Sequence, residues 1–149
     1  MTQNNPEKKT IKLTFEELEQ LSYNPKFGQA VTQKFPVKTA YWLGRGVEKI
    51  TRRMKEFQKV VNEIVDEYAL KVENEITGDM VPKLRPDNQP DWGDNQKEAQ
   101  ARLKELREIE VDLEIQPITL DLDRCEEMGL TITAETFALL MPFLEDKDA

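Results

Sequence analysis

What chemistry this chain can do is bounded first by the side chains it omits. It has no histidine and one cysteine, Cys125, against 29 aspartates and glutamates. Without an imidazole there is no Ser-His-Asp triad, no Cys-His dyad and no histidine metal site. A single cysteine closes no internal disulfide and builds no cysteine-rich zinc site, a usage compatible with a reducing compartment. Glu126 and Glu127 follow Cys125 directly and disfavour its thiolate, so it reads as a core or boundary residue rather than a nucleophile. Asp121, Asp123, Glu126 and Glu127 are oxygen ligands by type, but the glycine-punctuated loop of a calcium site is missing. They read instead as acids favoured by a helix N-terminus. Paired carboxylates do acid–base work, yet with 29 of them no pair is singled out. Gly44-Arg45-Gly46 alone is not a phosphate loop; it reads as a bend or a close helix approach. The expectation is a chain with no catalytic, cofactor-binding or metal-binding residues, and not an enzyme.

The stronger signals concern recognition. Ala40, Leu43, Val47, Ile50, Met54, Phe57, Val61, Ile64 and Tyr68 are spaced alternately by three and four, a strict heptad seam over four heptads. Two readings stand: the seam closes within the chain as a helical hairpin, or it is shared with a second chain. The candidate interface is therefore Leu43, Val47, Ile50, Met54, Phe57, Val61, Ile64 and Tyr68, with Trp42 and Trp92 as aromatic anchors. Charge is polarised along the same segment. Lys38, Arg45, Lys49, Arg52, Arg53, Lys55 and Lys59 stand against Glu48 and Glu56, and the stretch beyond holds Glu63, Asp66, Glu67 and Glu73. Two such helices attract in antiparallel register and repel in parallel. Local pairing, Glu48 with Arg52 for example, is the plainer reading of the same charges. From Glu110 to the end there are 11 acidic and two basic residues, a face suited to a basic partner. The net charge of −8, and the lack of aromatics interleaved with the basic run, argue against nucleic acid.

The elements that position these residues follow from capping and periodicity. The length is one domain's worth, and the reading is a single domain over 1–149. Residues 1–8 are a flexible N-terminus. Residues 9–36 hold a short strand (9–13), a helix capped by the box Thr14-Phe15-Glu16-Glu17, and a second helix capped by Asn24 with Pro25 at its first position, ending near Lys34. Residues 37–74 form the long heptad helix, about 55 Å at 1.5 Å per residue. Residues 75–94 are a Pro-rich linker, either mobile or pinned by Met80, Val81, Leu84 and Trp92. Residues 95–145 hold a helix capped by Asp94 (95–108), an acidic strand region and a C-terminal helix. In that strand Ile109, Val111, Leu113 and Ile115 face one way, and the parity flips after Pro117. A short helix near 121–128 stops at Gly129, Thr133 caps the last one, and the tail frays. The fold class is α+β, mainly α: the long helix in an antiparallel helical hairpin, with a small β-sheet and short terminal helices.

The order LTFEELEQLSYNPKF, FPVKTAYWLGRGVEKI, LKELREIEVDLEIQPITLDLD and LTITAETFALLMPFLED resembles small phage-encoded proteins of uncharacterised function. The likeness spans most of 11–145 without the linker, and carries over no catalytic residue. It implies a virion component, an assembly factor or a host-directed accessory. The expected partners are proteins, copies of this chain or other phage proteins, and neither membrane nor nucleic acid. MTQNNPEKKT lacks the apolar core of a signal peptide and no apolar run reaches a membrane span, so the expected location is the cytoplasm of an infected bacterial host, and the virion.

Overall fold

Thr14 ends one element and starts the next. Its hydroxyl accepts the Glu17 N–H at 3.2 Å while its own N–H donates to Glu17 Oε1 at 3.1 Å, the reciprocal box expected there. Strand β1 (Lys9–Thr14) thus passes directly into helix α1 (Phe15–Ser22), and Asn24 caps α2 (Pro25–Val31) through a bond from Lys26 N–H. The computed structural model describes residues 8–145. The expected loose segment 1–8, apart from Lys8, and the end of the expected frayed tail lie outside the described residues.

The fold is α+β, mainly α, with a long helix α3 (Val37–Tyr68) and a two-stranded antiparallel sheet of β1 with β4 (Glu110–Ile115). The described residues gather into two compact units. One is formed by the chain up to Met54 with the chain from Glu110 on, the other by Lys55–Ile109.

In the first unit, β1 and β4 pair with Ile11 opposite Leu113. The alternation of β4 buries Val111, Leu113 and Ile115 and leaves Glu110, Asp112 and Glu114 in water. Ile109, expected on the buried face, lies before the strand and is exposed. The expected strand beyond Pro117 does not form. Ile118 N–H bonds to Phe143 O and Glu145 N–H to Ile118 O, so only Ile118 of that stretch is buried, and Leu122 opens α5 (Leu122–Glu127) as an exposed residue. Gly129, at φ +78°, ends α5 in the left-handed region that its missing Cβ permits. Helix α6 (Ala134–Leu140) leads into a 3₁₀ turn whose Phe143 ring stacks on Phe27 at 5.9 Å. The same ring lies so near Gly46 that a Cβ there would stand 3.2 Å from it, so one glycine of the Gly-Arg-Gly pair is a close approach. Gly44 faces open space. Among the described residues no helix is long and apolar enough to cross a membrane.

In the second unit α3 stops at Tyr68, short of the expected 74. Leu70 leaves the helix because its N–H bonds to Asp91 O and its carbonyl accepts the Lys83 N–H. The Asn95 side-chain amide then caps the Tyr68 carbonyl at 3.0 Å. The segment expected as a linker is therefore structured: β2 (Lys71–Glu73) pairs antiparallel with β3 (Met80–Pro82), Val72 opposite Val81, and Leu84 bridges Pro90. Of the four expected pins, Trp92 is buried and Val81 half-buried, while Met80 and Leu84 are exposed. A 3₁₀ turn (Gly93–Asn95) precedes α4 (Gln96–Arg107), so Asp94 sits before the helix rather than at its cap. Helix α4 buries Ala99, Leu103 and Leu106 and runs back along the second half of α3. Its start meets Tyr68, and its end faces Val60 and Ile64 across a groove, the antiparallel hairpin expected.

Candidate interaction site

The heptad seam divides by layer. Leu43, Ile50, Phe57 and Ile64 are all buried, while Val47, Met54, Val61 and Tyr68 are half-buried and Ala40 is exposed. Trp92 is buried and Trp42 half-buried, its ring edge-on to Tyr41 at 4.9 Å. Four of the eight candidate seam residues, with Trp92, are therefore core of this chain, and a partner meets other side chains. The basic run divides too. Lys49 donates to the Glu114 carbonyl and Arg53 to the Asp112 carbonyl at 3.3 Å. These carbonyls lie two residues apart on the edge of β4 away from β1, so the two bases cover an open strand edge. Glu48 pairs with Arg45 at 3.1 Å, three residues before it, instead of the expected Arg52. Lys38, Arg52, Lys55 and Lys59 stay exposed on the surface of α3.

Two features of the second unit were not anticipated. One is the groove between α3 and α4, about 290 Å³. Val60, Ile64, Leu106 and Ile109 form its apolar floor, and Glu63, Glu67 and Glu105 its rim. Arg102, the one base there, donates to the Tyr68 hydroxyl at 3.4 Å. That bond, the attraction of Tyr68 and then Glu105 push the guanidinium pKa up. The other feature is the tip of the β2–β3 hairpin. Asn74 Oδ1 accepts the N–H groups of Ile76 and Thr77 at 2.9 and 3.1 Å, and Gly78 at φ +76° completes the turn. This local bonding holds Ile76 in place with its side chain 95% exposed. Asn74 and Gly78 bracketing a short loop were the signal available in the sequence. The three prolines that follow masked it.

The acidic residues of β4 and α5 remain at the surface. Asp121 Oδ1 caps α5 through the Arg124 N–H at 3.1 Å, and Asp123, Glu126 and Glu127 are exposed. Among the described residues no three His, Cys, Asp or Glu side chains gather to hold a metal ion. Burial, and secondarily the Asp121 charge, pushes the Cys125 thiol up, so it stays protonated. Glu135 of α6 binds Lys26 of α2 at 2.7 Å, and that hydrogen bond and charge raise the lysine's pKa. No family model, curated protein or solved structure matches this chain.

Proposed function

We propose that this chain is a non-enzymatic phage protein that acts by protein–protein contact, as a virion component or a particle-assembly factor in the infected host. The phage assignment rests on the sequence resemblance given above. The observation that carries the contact role is the apolar surface of the β2–β3 hairpin and the loop after it. Ile76 is almost fully in water, and Met80 and Leu84 follow it there. Burying an aliphatic side chain of this size is worth about 1.5–3 kcal/mol. A hairpin held by its own turn bonds presents that energy to a partner without first having to fold. Its occupants are copies of this chain or other phage proteins. Absolute mass by light scattering on a sizing column, at low and high salt, tests the self-association arm. A mass above the 17.3 kDa of one chain supports it, and one that survives high salt assigns the contact to apolar rather than exposed charged groups.

The exposed acids of β4 and α5 favour a second reading, a host-directed inhibitor that docks this face on a basic host protein. A chain that is monomeric at every concentration, and retains one basic host factor at low salt but not at high salt, favours this reading over assembly.

A further inference from the structure

We propose that the groove between α3 and α4 receives the first two turns of α3 from a second copy of the chain. The inference rests on the contact role proposed above and adds to the hairpin a second contact surface. The groove is an incomplete piece of core. Ile64 and Leu106 at its floor are buried, yet Ile109 is 50% exposed and Val60 also reaches water. Three carboxylates, Glu63, Glu67 and Glu105, stand at its rim, and the single base among them is already held by Tyr68. The occupant such a groove fits is a helix with an apolar stripe flanked by positive charge.

The start of α3 has that pattern. Val37 is 86% exposed and Tyr41 57%, one turn apart on the same face, with exposed Ala40 between them. Lys38 and Arg45 line one side of the stripe, both in water. The Arg45–Glu48 pair is solvent-exposed and therefore weak, so exchanging Glu48 for a rim carboxylate costs little. Of the other exposed apolar groups, the most exposed, Ile76, lies among Glu73, Glu75 and Asp79 and would meet the rim as like charge. Because the two surfaces differ, the contact either closes as a reciprocal pair or continues copy to copy.

The test uses the full chain and two charge-reversed variants, Glu63→Lys with Glu67→Lys, and Lys38→Glu with Arg45→Glu. All four positions are exposed, and far-UV circular dichroism with melting confirms that each variant is folded. Light scattering follows mass from micromolar to near-millimolar chain at low salt. The expected result is a wild-type oligomer, an association constant at least about tenfold weaker in each variant alone, and a complex restored when the two variants are mixed. A wild-type oligomer indifferent to both variants overturns the groove contact and leaves self-association standing. A chain monomeric throughout overturns both. A monomer whose groove takes up a synthetic Leu/Lys amphipathic helix overturns the second copy as occupant.

Discussion

Gly44 and Gly46 sit two residues apart in α3, and the structure assigns opposite signs to the same substitution. Alanine in place of glycine inside a helix gains about 1 kcal/mol from backbone propensity alone. At Gly44 the new methyl meets nothing within 4 Å, so the whole gain should appear. At Gly46 the methyl stands 3.2 Å from two atoms of the Phe143 ring, tighter than ordinary van der Waals contact. That ring has little room to yield, because it is buried and stacked on Phe27 at 5.9 Å. Overpacking of a filled core costs about 1–3 kcal/mol, which cancels or exceeds the propensity gain. Gly44→Ala is therefore expected to raise stability by about 1 kcal/mol, a shift of about 2–4 °C in melting temperature for a chain of this size. Gly46→Ala is expected to leave it unchanged or lower it by up to about 2 kcal/mol. Thermal and urea unfolding of both variants, followed by circular dichroism at low chain concentration, reads the difference. If Gly46→Ala stabilises as much as Gly44→Ala, the packing of Phe143 against α3 is wrong.

Three further outcomes follow from single sites. Cys125 is buried with its thiol pKa raised, so alkylation of the folded chain should be slow at neutral pH and should begin at higher pH than for the unfolded chain. The sign for stability follows: the neutral thiol favours the fold, its contribution is complete below the free-thiol range, and it is lost as pH rises through the folded value. Rapid neutral-pH labelling of native protein would contradict that placement. Thr14→Ala removes the side-chain half of a capping box and should cost about 1 kcal/mol in urea unfolding. Ile76→Asp, at a side chain in water, should change stability by no more than about 0.5 kcal/mol, whereas a large loss would show that the hairpin tip is packed.

How far the fold was legible depended on whether its signals were local. The boundaries of α1, α5 and α6 lie within about a residue of their expected positions, because each is written in its cap: Thr14 with Glu17, Asp121 with Gly129, and Thr133. The pairing of β1 with β4 was also readable, from period-2 alternation in two segments a hundred residues apart. The hairpin of the second unit was not. Its strands are three residues each, too short for alternation to show, and the prolines at 82, 86 and 90 read as breakers. What orders it is long-range within the unit: Leu70 takes its bonds from Lys83 and Asp91, and Trp92 is buried. A periodicity argument cannot see such bonds, and for the same reason it carried α3 six residues past its real end.

The seam shows the same limit from the side of function. Heptad spacing identifies which residues share a face, and Leu43, Ile50, Phe57 and Ile64 do share burial. It does not say which chain buries them. Here the chain's own fold does, so the most regular pattern in the sequence is largely core. The surfaces left for recognition are less regular. The α3–α4 groove is assembled from residues about 40 positions apart, and Ile76 is a lone apolar residue in a turn. Neither has a period, so neither could be found by spacing. Both become visible only when exposure is known, because an apolar side chain calls for a partner only where its own chain fails to supply one.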